Sequence, residues 1–112
     1  MAEGYIIRND YKIIDSALGI NSNYIDTSNT RLYTNGVVNI LSINFLTKGE
    51  IPNASTIISN LPISSTRVFS IIGGADGKVY RVRIEKDTGY MSNEIAIPGP
   101  QWINGEVVYI TM

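Results

Sequence analysis

The chain has 112 residues, 44% of them hydrophobic and only 17% charged, with a formal net charge of −1 and neither cysteine nor histidine. That length fits one domain, residues 1–112, around a single core. The near-neutral charge without Lys or Arg clusters excludes nucleic acid as a partner, and no apolar run approaches the ~20 residues that a membrane span needs. The missing Cys and His remove disulfides, thiol nucleophiles, thiolate metal sites and imidazole bases, and no cofactor is expected. Ile, Val and Thr together fill 34 positions (19, 7 and 8). These side chains lose rotamer freedom in helices and suit a pleated surface, so the expected fold is all-β, a small antiparallel sandwich or barrel.

In chain order, residues 1–30 give short β-like pieces at Tyr5–Arg8 and Tyr11–Ile14, followed by the polar NSNYIDTSNT, and read as edge strands and loops. The main sheet is expected over 31–112. Asn35-Gly36 is a turn between Arg31-Leu32-Tyr33 and the run Val37–Leu46, where Val37, Leu41, Ile43 and Phe45 fall on one face and Ser42 and Asn44 on the other. Arg67–Ile72 and Lys78–Lys86 are strands joined by Gly73-Gly74-Ala75-Asp76-Gly77, a hairpin connection. In the second, Tyr80, Val82 and Ile84 alternate with Arg81, Arg83 and Glu85, which places the first set inward. Tyr90–Ile97 is a weaker strand ended by Pro98-Gly99-Pro100. A last strand runs from Gln101 or Trp102 to Thr111, with a break expected near Asn104-Gly105.

Three stretches imitate chemical motifs. Asp87-Thr88-Gly89 spells the aspartic protease triplet, and retroviral enzymes of that type are dimers of chains about this long. Their triplet ends a buried apolar strand so that two carboxylates share a proton, whereas Glu85, Lys86 and Tyr90 surround this one. A three-residue loop with Gly89 in the left-handed conformation explains the same letters. Gly74-Ala75-Asp76-Gly77-Lys78 ends like a phosphate loop but lacks the first Gly, the Ser or Thr and the following helix. Asn53-Ala54-Ser55 fits a glycosylation acceptor that arises readily by chance. The acidic residues show no spacing of a catalytic pair or calcium loop, so no enzymatic activity is expected.

The binding candidates are Trp102 and Tyr90, whose faces can stack on a sugar ring, with Asp87, Arg81 and Arg83 as polar contacts. The bland alternatives are a core position for Trp102, and solvation or pairing with Glu85 or Glu94 for the arginines.

The order TIISNLP (56–62), RVFSIIG (67–73), VYRVRIEKDTG (79–89), IPGPQWING (97–105) and VYITM (108–112), preceded by RLYTNGVV (31–38) and LSINFL (41–46), resembles the C-terminal head domains of receptor-binding and tail-fibre proteins of phages that infect Gram-positive bacteria. The likeness spans about residues 30 to 112. This chain departs from it in having no further Pro shortly after Leu61-Pro62 and no His. The resemblance implies a homotrimeric knob at the distal end of the virion tail. It would be carried by other tail or baseplate proteins and would bind a host cell-wall saccharide or teichoic-acid-like polymer. A trimerising structural module of the fibre or baseplate is the alternative, and a dimeric aspartic protease a remote one.

Overall fold

The computed structural model of the chain describes residues 12–13 and 18–111. Among them there is no helix. Ten strands form one antiparallel sheet: β1 (Lys12–Ile13), β2 (Gly19–Ile20), β3 (Ile25–Ser28), β4 (Arg31–Thr34), β5 (Val38–Thr47), β6 (Thr56–Ser59), β7 (Val68–Gly74), β8 (Val79–Ile84), β9 (Met91–Asn93) and β10 (Trp102–Ile110). Their order across the sheet is β1-β4-β5-β10-β7-β8-β9-β6-β2, with β3 also on β5. The expected strand at Tyr5–Arg8 lies outside the described residues, and of Tyr11–Ile14 only β1 is described.

The sheet curls into a half-barrel whose concave face is the core, and period-two patterning sets that face. Along β5, Asn39, Leu41, Ile43, Phe45 and Thr47 are buried while the intervening residues are partly exposed. β10 follows the whole of β5 in unbroken register from Trp102↔Leu46 to Ile110↔Val38. This pair is the spine of the molecule. Its other flank is covered first by β3 and then by β4. At the corner between them the Thr30 hydroxyl accepts from the Asn44 N–H at 3.1 Å and lies 3.3 Å from the Asn44 carbonyl, so it takes the place of a missing strand partner.

Two buried asparagines lie on the concave face. Asn93, fully buried, donates to the carbonyls of Pro52 and Ile95 at 2.9 Å and of Ile51 at 3.3 Å, and accepts from the Ser55 N–H. Asn39 accepts from the Thr34 hydroxyl at 2.7 Å and donates to Thr111 Oγ1 at 2.5 Å, tying the start of β5 to the end of β10. Each holds loop carbonyls or hydroxyls that the ladder leaves over, which is how a polar group is kept inside a core.

Several expectations need correction. Trp102 is not a core residue: it faces outward, 38% exposed, and its neighbour Ile103 is the buried one. Val37 does not share the buried face of Leu41. It lies in the turn before β5, where Asn35 Oδ1 accepts from the N–H groups of Val37 and Val38, and is more than half exposed. Asn104-Gly105 does not break the last strand. Gly105 instead lets β10 pass close to β7, since a Cβ there would lie 2.8 Å from Ile72 Cγ2. β6 is not among the expected strands, β2 is an edge strand within residues 1–30 as expected there but at a position not named, and β9 is three residues where eight were expected.

Candidate binding site

β8 has a turn at each end. At its start, residues 75–78 connect β7 to β8 as the glycine-rich sequence predicts, with Gly77 at φ 81° and register Gly73↔Val79. The Asp76 carboxylate organises this turn. Its Oδ1 accepts from the Lys78 N–H at 3.0 Å, and its Oδ2 accepts from the Tyr80 hydroxyl and from Gln101 Nε2. Gln101 Oε1 in turn accepts from the Asp76 N–H at 3.0 Å. Gly74 makes room for both side chains, because a Cβ there would meet Asp76 Oδ1 and Gln101 Oε1 at 2.6 Å.

The loop 98–101 is thereby fixed against the hairpin. Gln101 Nε2 also donates to the Pro98 carbonyl at 2.5 Å, the Gln101 carbonyl accepts from the Thr47 N–H at 3.0 Å, and the Gln101 N–H donates to the Thr47 hydroxyl at 3.0 Å. Beside it the Trp102 carbonyl accepts from the Ala75 N–H at 3.0 Å. Between the two loops lies an open basin of about 400 Å³, lined by Ala75, Asp76, Pro98, Gly99, Pro100 and Gln101. The Tyr80 hydroxyl bond, followed by the Lys78 N–H, holds the Asp76 carboxyl below its ordinary value of 3.8. The same bond raises the Tyr80 hydroxyl above 10.0. Asp76 is thus an ordered anion at neutral pH.

A carboxylate has about four acceptor positions, and Asp76 uses three. Asp76 and Gln101 thus bring ordered acceptor groups, each with capacity to spare, to a basin that Pro98 and Pro100 also line. Acceptors beside apolar side chains are compatible with a small polar ligand.

The five residues singled out from the sequence fall into three groups. Trp102 sits at the Asp76 end, on the outer face. Arg81 and Arg83 lie mid-strand, also outward, within an ion ladder. Arg81 Nε is 2.7 Å from Glu94, Arg83 Nη1 is 3.2 Å from Glu94, and Arg67 Nε is 2.6 Å from Glu85. Arg83 Nε lies 2.9 Å from Glu85 but off the axis of a hydrogen bond. The Arg81 guanidinium also covers the Phe69 ring at 4.4 Å. Arg67, ahead of the other contacts, depresses the Glu85 carboxyl below 4.5. Pairing of the arginines with Glu85 and Glu94 is therefore the arrangement present.

Asp87 and Tyr90 occupy the far end of β8, about 20 Å from its start at strand rise. Trp102 and Tyr90 do not converge. No match to the chain is found among family models, curated proteins or solved structures. Sequence reading missed Asp76 and Gln101. Asp76 carried a signal, an Asp two residues before the N–H it caps. Gln101 carried none, since its partner lies 25 positions away.

Proposed function

We propose that the chain is a receptor-binding head of a phage tail fibre or baseplate, a barrel-like knob that attaches to a host cell-surface saccharide. The ordered Asp76–Gln101 pair in an open basin beside Trp102 carries this reading. A shallow site with few free acceptors binds a single sugar weakly, on the order of mM. Several copies on one particle convert that into firm attachment, which is why a homotrimer belongs to the proposal. Binding of the purified chain to wall-derived saccharide or teichoic-acid-like polymer tests it. Trp102→Ala and Asp76→Ala are expected to weaken binding about tenfold with the fold retained, as a lost stacking face or charged acceptor does. Unchanged binding in both variants sinks the site, and absence of any binding sinks the receptor reading.

The ion ladder favours a second reading, a structural trimerising module. Arg81 and Arg83 already meet Glu94, so they offer little to a phosphate-rich polymer. Saccharide binding separates the two. The dyad reading of Asp87 draws no support from its exposed position on a loop.

A further inference from the structure

Register lays three asparagines in one row across the convex face of the sheet. The Asn29 N–H donates to the Asn44 carbonyl at 2.8 Å, Asn44 pairs with Asn104, and Asn104 pairs with Gly73. Asn29 and Asn104 are exposed and Asn44 is partly exposed, whereas Thr30, Phe45 and Ile103 beside them in the chain are buried. The Thr111 N–H donates to the Val37 carbonyl and the Thr47 N–H to the Gln101 carbonyl, so the odd-numbered residues of β10 carry the ladder to β5. Asn44 and Asn104 are therefore a non-hydrogen-bonded pair, with Cβ atoms about 5 Å apart. Folding accounts for none of this row. Asn is depleted in strands, yet two stand opposite each other inside the longest strand pair of the molecule. Among the described residues none of the three carboxamides has a hydrogen-bond partner, so they are not a side-chain ladder that ties strands together. Gly73 ends the row without a side chain, although its φ is not left-handed and a Cβ there would meet nothing nearer than the Asn104 carbonyl at 3.7 Å. A strand glycine that packing does not demand leaves room for something to approach the backbone. Local choices that folding alone disfavours are expected where a chain has a function.

We propose that this row is a binding platform for a neutral, hydroxyl-rich chain laid across the strands from Asn29 to Gly73, with Trp102 as its wall. The span is three strand spacings, roughly 14 Å, which is longer than a single sugar ring fills. Each carboxamide presents two donors and a carbonyl acceptor, the complement of hydroxyls that both donate and accept. Charge selects a neutral ligand. In the next row Ser42 stands between Arg31 and Glu106, one residue of each sign, so the platform carries no net field that would draw in a phosphate-rich polymer. On the other side Trp102 lies about 7 Å along β10 from Asn104 and turns its exposed ring to the same face. The platform rests on the receptor reading for its ligand class and goes beyond it in placing the ligand on the sheet and in preferring an uncharged chain.

Chemical-shift titration of the full chain tests the platform, with neutral hexose and N-acetylhexosamine oligomers of increasing length as probes and poly(glycerol phosphate) as the anionic counterpart. The side-chain amide signals of Asn29, Asn44 and Asn104 should move with the neutral oligomers, more tightly as these lengthen, and should stay in place with the phosphate polymer. Asn44→Val combined with Asn104→Val should weaken binding at least tenfold, as the loss of two or more hydrogen bonds does. The thermal midpoint of that double variant should not fall, because Val suits a strand better than Asn. Gly73→Val should weaken binding several-fold by filling the open end of the row, again with the midpoint kept. A midpoint that falls in the double variant would assign the carboxamides to the fold, and unchanged binding in it would put the ligand elsewhere; either result overturns the platform. A wild type that binds only poly(glycerol phosphate), or whose binding responds to Asp76→Ala and Trp102→Ala but not to the asparagine variants, also overturns it and leaves the receptor reading standing. Binding that is lost with the asparagines and indifferent to Asp76→Ala supports the platform and removes the basin. A chain that binds no probe overturns both.

Discussion

The two turns that bound β8 each contain an aspartate, and the chain secures them in opposite ways. At 75–78 the side chain does the holding: Asp76 gathers the Lys78 N–H, the Tyr80 hydroxyl and the Gln101 amide. At 86–89 the backbone does most of it, helped by the Thr88 hydroxyl and not by the aspartate side chain. The Asp87 N–H donates to the Ser64 carbonyl at 2.9 Å, the Leu61 N–H donates to the Gly89 carbonyl at 3.1 Å, and the Thr88 hydroxyl donates to the Glu85 carbonyl at 3.0 Å. Asp87 and Gly89 both have left-handed φ, 61° and 69°. The protease-like letters therefore mark a packed corner with an exposed carboxylate, while the unremarkable GADGK segment holds the ordered one.

The largest effect should come from breaking the backbone-held turn. In Gly89→Ala the new Cβ meets the left-handed penalty and the Leu61 carbonyl at once. Strain of that kind plus local overpacking costs about 3 kcal/mol. The thermal midpoint is expected to fall by roughly 15 °C, at 4–8 °C per kcal/mol for a domain of this size. Gly77→Ala is the control in the other turn. It has positive φ, 81°, but open space around it, so only the conformational term of about 1 kcal/mol applies. Equal losses at the two glycines would mean that the contact with Leu61 does not hold the corner.

The aspartates themselves should rank the other way. Asp76→Ala leaves Tyr80, Lys78 and Gln101 without their shared acceptor and is expected to lower the midpoint by about 5 °C. Asp87→Asn keeps a residue type that tolerates left-handed backbone and loses no hydrogen bond of the turn, so the midpoint should stay within about 2 °C. Thermal unfolding followed by circular dichroism reads both, and a larger loss at Asp87 would reverse the comparison.

This contrast also marks where the sequence is legible. β5 and β8 follow from alternation, because a strand with one face on the core must repeat every second residue, whereas β7 and β10 read as strands from their β-branched runs and bounding turns, their outward Phe69, Ile71, Val108 and Ile110 being apolar as well. The turns Asn35-Gly36 and Gly73–Gly77 follow from residues that accept positive φ, and Gly89 was expected in that conformation. Alternation fails where both neighbours are buried, as with Ile57 and Ile58 of β6, and where a strand is two residues long, as in β2. It fails for Trp102 as well, because an aromatic residue at the head of a strand reads as core until the register of β10 on β5 turns it outward. The candidate site was half legible. Trp102 is named by its residue type, but Asp76 meets Gln101 only because β10 runs beside β7, a pairing of segments that no local pattern encodes.

The smallest effect is the most specific, and it lies in the pH dependence of stability. Asp76 is depressed below 3.8, so its bonds stabilise the folded chain at neutral pH and their contribution is lost as pH falls through the folded value below 3.8. Glu85, depressed chiefly by Arg67, behaves the same way from 4.5 downward. Tyr80 is raised above 10.0 by its bond to Asp76, so its contribution is present below 10 and lost as pH rises beyond it. Burial raises Tyr109 in the same direction, with its hydroxyl donating to the Pro62 carbonyl at 2.8 Å. Asp76→Asn should therefore remove the part of the acid loss that lies below 3.8 while leaving the Glu85 part, and Arg67→Ala should do the converse. On the alkaline side Asp76→Asn should reduce the loss above pH 10 without abolishing it, because Tyr109 does not depend on Asp76. Midpoints measured from pH 2.5 to 11 would read all of these, and an acid limb in Asp76→Asn identical to the wild type would show that the turn at 75–78 is held by its backbone after all.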